Sequence, residues 1–170
     1  MVRRSFHALA VLNLAALAAF TINAQTVFAG DPLLLPPDPA ALSVETKSGE
    51  QRFSIEVADE PAEWWRGLMF RTTMADDHGM LFVFEDSQPR CFTMQNTAIP
   101  LDLLFVGEDG KIRAIEKGRP FSTMLISPTV DAHFVLELKA GTAQTAGIQI
   151  GERLRHPLID RVANHSRRGF

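Results

Sequence analysis

"CFTMQNTAIPLDLLF", residues 91–105, packs a thiol, a thioether, an amide, a hydroxyl, a proline and a carboxylate into a segment that otherwise reads as β-strand. Two strands, 90–95 and 101–106, accommodate most of this. Asn96 tolerates left-handed geometry, and Asn96 and Thr97 both bond nearby backbone, so together they predict a turn between the strands. Pro100 forces Ile99 to be extended and restarts the second strand. Asp102 is left over, a carboxylate between Leu101 and Leu103. It sits on the solvent face, in an ion pair, or in a site where burial would raise its pKa.

The same patterning extends outward. "ALSVETKSGEQRFSIEVA" (41–58) is two alternating runs around Ser48-Gly49, a β-hairpin with Phe53, Ile55 and Val57 on one face. "DEPAEWWRG" (59–67) predicts a short helix with Asp59 as N-cap, Pro61 in the first turn, acids at the positive end of the dipole and Gly67 as terminator. "GMLFVF" (79–84) is a continuous apolar run and reads as a buried strand, after which Asp86 to Pro89 turn the chain. "GEDG" joins "LDLLFV" to "KIRAIEK" in a second hairpin, and "AHFVLELKA" is a strand. "GTAQTAGIQIGERL" gives one helical turn stopped by Gly147, then a last strand. The fold class expected is mainly antiparallel β (α+β), one compact domain with a partly closed sheet or barrel and one or two short helices.

Composition sets the outer limits. With 170 residues, 46% hydrophobic and 22% charged, the chain suits one globular domain with a real core. Seventeen Lys and Arg against twenty Asp and Glu give −3, which offers no nucleic-acid footprint. Arg3 and Arg4 precede an apolar run from Ala8 to Phe20, shorter than the about 20 residues a bilayer span needs. The run fits a signal peptide over 1–29, with cleavage after Ala24 or Ala29, and predicts an extracytoplasmic protein, periplasmic or secreted, with no membrane span after cleavage. "RRSF" also resembles a twin-arginine start, but only two residues precede the pair, so Sec export is the preferred route. Residues 30–41, "GDPLLLPPDPAA", read as a proline-rich linker, 42–156 as the folded domain, and 157–170 as a loose basic tail. Cys91 is the sole cysteine, so no internal disulfide is possible, and it reads as a buried structural thiol.

Four motifs, "RGLMFR" (66–71), "GMLFVF" (79–84), "MQNTAIPLDLLF" (94–105) and "VLELKAG" (135–141), occur in the order and spacing of the DUF192 family, the domain of unknown function 192, also called UPF0127. The resemblance covers about residues 42 to 155. It implies a compact β-rich domain, often exported from bacteria, and implies no activity. That family usually carries an aromatic, typically tryptophan, just before the methionine of the third motif and a basic residue just after it. Here those places hold Thr93 and Gln95.

The chemistry-bearing candidates are Arg71, Met94, Asn96, Thr97, Asp102 and Glu137. Arg71 lies between two apolar motifs, so it either forms a buried ion pair with Asp102 or Glu137 or grips an anionic ligand. Met69, Met80 and Met94, with Met74 and Met124, could serve as Cu(I) thioethers but are spread like core filler. His78, His133 and His156 lack zinc-hydrolase spacing, and neither a nucleophile elbow nor a phosphate loop is present. The leading reading is a noncatalytic exported domain that binds a small molecule, envelope glycan or protein partner, with no cofactor and no metal. The alternative is a small extracytoplasmic hydrolase or lyase using Asp102, paired with Arg71 or His133.

Overall fold

The structure, a computed structural model, describes residues 30–168, with side chains through 166. The expected signal peptide lies outside them. The chain runs β1 (Leu42–Thr46), β2 (Gly49–Ala58), α1 (Pro61–Arg66), β3 (His78–Pro89), β4 (Leu101–Val106), β5 (Ile112–Gly118), β6 (Asp131–Lys139), α2 (Thr142–Thr145), β7 (Leu154–Arg155) and α3 (Pro157–Arg168). Seven strands form one mixed sheet, curled into a half-barrel, in the order β5-β4-β6-β3-β2-β1-β7. Both expected hairpins are present, β1 with β2 from Leu42↔Phe53 and β4 with β5 from Leu101↔Gly118. The β2–β3 pair is parallel, with α1 in its crossover, whereas the other ladders are antiparallel. The two edges meet at one end. The Leu154 N–H donates to the Gly110 carbonyl at 2.9 Å, and the Ile112 N–H donates to the Glu152 carbonyl at 2.9 Å.

Both faces of the central strands are covered, which is why "LDLLFV" is buried at all six positions. One face gathers Ile55, Leu81, Leu104, Phe134 and Leu136 with Ala143 of α2 and Ile159 of α3. The other gathers Met80, Phe82, Met94, Leu101, Leu103, Phe105 and Val135, roofed by Trp64 of α1, by Leu68 just after it and by Phe92.

Several local expectations are corrected. Residues 90–95 are not a strand; their one ladder contact is Phe92, which exchanges backbone hydrogen bonds with Ile126. The methionine and proline flanks of Asn96-Thr97 are held by loop contacts instead, such as the Met94 N–H to the Ser122 carbonyl at 2.9 Å. Residues 86–89 continue β3 past a register shift after Val83 rather than turning the chain. The N-cap of α1 is Glu60, not Asp59; the Glu63 carboxylate accepts from the N–H groups of both, at 3.1 and 3.0 Å. The loose tail is α3, because Ile159, Val162 and Ala163 recur at helical spacing and pack on the core. The proline-rich linker lies on the domain: Leu35 N–H donates to Glu56, Asp38 N–H to the Ile55 carbonyl, and His156 Nε2 lies 3.2 Å from the Ala40 carbonyl. Cys91 is exposed, since a segment outside the ladder does not have to bury alternate side chains.

Candidate functional site

A cleft of about 590 Å³ opens between α1 with its exit and the segment 89–97. Gly67 ends α1 with φ 45°, and a Cβ there would come within 3.1 Å of the Phe82 ring, so only glycine lets the exit lie this close to the sheet. Trp64, Trp65, Leu68 and Met69 form one wall, Phe92, Thr93, Gln95 and Thr97 the other, and Phe82, Phe84 and Glu137 the sheet side. The rings support one another. Trp64 meets Phe84 at 5.1 Å between centroids, and Phe92 stands edge-on to Phe82 at 5.2 Å. Arg66 stacks on Phe70 and Arg90 on Phe84, so both arginines at the cleft are already engaged with aromatic faces.

The backbone around the cleft is strained. Phe70 and Phe121 have φ of 65° and 60°, a region that costs a phenylalanine roughly 1–2 kcal/mol, and Asn96 at 58° takes the same region at less cost. They are tied together: the Phe70 N–H donates to the Asn96 carbonyl at 2.8 Å, and the Phe121 N–H to the Thr97 carbonyl at 3.0 Å. Strain of this kind persists where the surroundings over-determine it, as they do at binding sites.

Behind the cleft, register places Glu56 of β2 beside Met80 of β3, and Met80 beside Glu137 of β6, on one face of the sheet. The two glutamates have opposite surroundings. Arg71 Nη1 donates to Glu56 Oε1 at 2.6 Å, with a second guanidinium contact to Oε2; His78 Nε2 lies 2.9 Å away and the Leu35 N–H donates at 2.8 Å. Burial pushes Glu56 up, but the hydrogen bonds from Arg71, His78 and Leu35, with the Arg71 charge, outweigh it and hold the carboxyl below the usual range. Glu137 is 5% exposed and lines the cleft, and its carboxyl makes no hydrogen bond or ion pair with the described residues. Burial pushes its carboxyl up to about 8, against a smaller opposing pull from the Arg71 charge.

Thus Arg71 pairs with Glu56, not with Asp102 or Glu137, and its guanidinium also donates to the Leu33 carbonyl. Asp102 lies on the opposite sheet face, 0% exposed, and its carboxylate is fully used. It accepts from Lys117 Nζ at 2.6 Å and from the N–H groups of Gly141 and Ala143 at 3.0 and 2.9 Å. Asp102 therefore caps α2 from a neighbouring strand and does not line the cleft. Of the other candidates, Thr97 and Glu137 line the cleft, Asn96 makes the left-handed turn beside it, and Met94 is core. Met80 is core as well, whereas Met69 lines the cleft and Met124 is exposed. His133 lies 3.8 Å from Glu108 and His156 3.4 Å from Asp38, both away from the cleft. Among the described residues no group of His, Cys, Asp and Glu could hold a metal ion. Glu56, Trp64, Leu68, Phe82 and Phe92 were not singled out by the sequence as site residues. The aromatic spacing in "FVFEDSQPRCF" was the available signal for the last two.

Residues 43–156 match the model of the family DUF192, described as "Uncharacterized ACR", and the chain belongs to that family. Two crystal structures are similar. One is a candidate transcription regulator from Sinorhizobium meliloti 1021, 38% identical with a TM-score of 0.68, covering 74% of this chain and 97% of that one. The other is a protein of unknown function from Novosphingobium aromaticivorans DSM 12444, 32% identical with a TM-score of 0.68, covering 76% and 95%. No curated protein matches. Thr93 and Gln95, where this chain departs from the pattern of the third motif, both line the cleft.

Proposed function

We propose that this domain is a noncatalytic binding module that takes a small molecule with an apolar, ring-sized body into the cleft beside α1, and that it works outside the cytoplasm after Sec export. The observation that carries the binding reading is the Glu137 carboxyl, buried at an aromatic cleft without a protein partner. A ligand that hydrogen-bonds this carboxyl would offset the desolvation it suffers at the cleft. The cleft volume also falls within the roughly 300–1,000 Å³ typical of ligand sites. Against catalysis, Asp102 is consumed as a helix cap, and no histidine lines the cleft to serve Cys91 as a base. The description of the Sinorhizobium protein as a regulator brings no DNA contact to this chain, whose acids outnumber its bases.

A thermal-shift screen of the purified chain tests the binding. A ligand at a hundredfold its Kd should add about 2.7 kcal/mol, and a Trp64→Ala variant should lose that gain. Compounds that stabilise wild type and variant equally would contradict the cleft as the site. Export predicts a mature N-terminus at Gln25 or Gly30 by mass spectrometry. A start at Gly30 would keep the contacts of Leu33, Leu35 and Asp38 with the domain. Intact chain accumulating in the cytosol would contradict export.

A further inference from the structure

We propose that the Glu137 end of the cleft recognises a neutral, planar amide edge, a primary carboxamide, lactam or imide carried on an aromatic body, through a pair of hydrogen bonds to the Glu137 carboxyl. This rests on the cleft being a ligand site and goes on to name the ligand class.

Charge around the cleft decides between the classes. An anionic head would need a cation to meet it. At the Glu137 end the acting charge is that of Arg71, which is committed to Glu56 and the Leu33 carbonyl; Arg90 is paired with Asp86, and Arg66, which donates to the Asp31 carbonyl and stacks on Phe70, has no carboxylate partner among the described residues but does not act on Glu137. An ammonium head would sit within reach of the Arg71 charge and would need Glu137 to give up its proton in a buried position. A neutral head avoids both penalties. The acid form of Glu137 offers one O–H donor and one carbonyl acceptor in a plane, which is the complement of an amide C=O and N–H held cis. Thr97 and Gln95 stand on the facing wall and can take a further polar atom; the Thr97 hydroxyl already donates to the Gln95 carbonyl at 3.3 Å and keeps its lone pairs. The flat body would lie against Phe82, Phe92 and Trp64.

The charged and titratable groups around Glu137 are few. Arg71 acts on it directly, with Glu56 and His78 behind Arg71; Glu116 of β5 lies beyond Leu103 in the same row; and Arg66, Arg90 and Cys91 line the cleft. Burial holds Glu137 as the acid at neutral pH. Above its titration the group can only accept, and the amide loses its donor.

Trp64 and Trp65 are the only tryptophans, both line the cleft, and the chain has no tyrosine, so intrinsic emission reports on the site directly. Benzamide, benzylamine, benzoate and toluene titrated into the full chain at pH 6.5 and 9.5 form the test. Benzamide should bind tightest at pH 6.5 and weaken by about tenfold or more at pH 9.5. Glu137→Gln, which keeps a donor and an acceptor but cannot ionise, should bind benzamide at both pH values within about threefold of wild type at pH 6.5, and so about tenfold tighter than wild type at pH 9.5, whereas Glu137→Leu should lose about tenfold or more at pH 6.5. Benzamide no better than toluene, or benzylamine tightest and tightening with pH, would overturn the ligand class while leaving the cleft as a binding site. Emission unmoved by all four compounds would overturn the binding reading together with the class.

Discussion

Replacing Glu137 by Gln isolates the most perturbed titratable group among the described residues. A carboxyl raised from 4.5 to about 8 on folding makes the native state hold a proton that the unfolded chain releases. Stability from this group is therefore fully present below pH 4.5 and falls as pH rises to about 8, where the loss levels off. The full span is three and a half pH units at about 1.36 kcal/mol each, close to 5 kcal/mol. Gln mimics the protonated acid and has no such dependence. Between pH 5.5 and 8.5 wild type should lose about 3 kcal/mol relative to Glu137→Gln, and the variant should melt some 6–12 °C higher at the upper pH. Urea unfolding followed by tryptophan emission at several pH values measures this difference, and the ratio of the two proteins cancels what Glu56 and the remaining carboxylates contribute. Stability curves that stay parallel across this range would refute the assignment of an ionisable, desolvated, unpartnered Glu137.

Arg71→Met leaves the Glu56 carboxylate buried without its main partner and should cost about 3–5 kcal/mol, read as the urea midpoint shift at pH 7. Glu56→Gln should instead turn the Arg71 charge onto Glu137, moving the midpoint of the Glu137-linked stability loss to lower pH; an unchanged midpoint would count against electrostatic coupling of the two. Asp102→Ala removes the acceptor for two N–H groups at α2 and should cost about 2–4 kcal/mol while leaving ligand affinity at the cleft within about twofold. Ending the chain before Pro157 takes Ile159 and Ala163 from the core and should cost about 3 kcal/mol or more, a quantity calorimetry would show.

Local pattern carried most of the sheet into view. Alternation with a turn signal sufficed for the hairpins β1–β2 and β4–β5, because their partners are neighbours in sequence. The parallel β2–β3 ladder is another matter. Alternation in "FSIEVA" assigns Glu56 to the face opposite Phe53, Ile55 and Val57, which in a one-sided sheet is solvent. Only a crossover that brings β3, and a roof built from the 30–41 segment and Arg71, makes that face interior. Glu56 was thus invisible as Arg71's partner, and the pair was sought at Asp102 and Glu137. The misread of 157–168 has a different cause. Its apolar stripe is three residues long, Ile159, Val162 and Ala163, set among seven polar or charged positions, and what stabilises it is the hole it fills in the core. Glu137 was correctly singled out as a charge inside an apolar strand. Its cleft could not be foreseen, since the walls come from α1 and from 89–97, which meet only in space.

The two glutamates flanking Met80 explain why the site has the character it does. Their strands are separated by β3 alone, so their backbones lie about 10 Å apart, and both carboxyls feel the one Arg71 charge. A single guanidinium can give two parallel hydrogen bonds to one carboxylate, and Arg71 gives them to Glu56, where the Leu35 N–H and His78 complete the set. Nothing remains for Glu137. In a low-dielectric position an unpartnered carboxylate is far costlier than a carboxylic acid, so the group resolves the conflict by keeping its proton. The fold thereby turns a shortage of hydrogen-bond donors into a directed donor of its own. It presents that donor at the cleft between the sheet, α1 and the 89–97 segment.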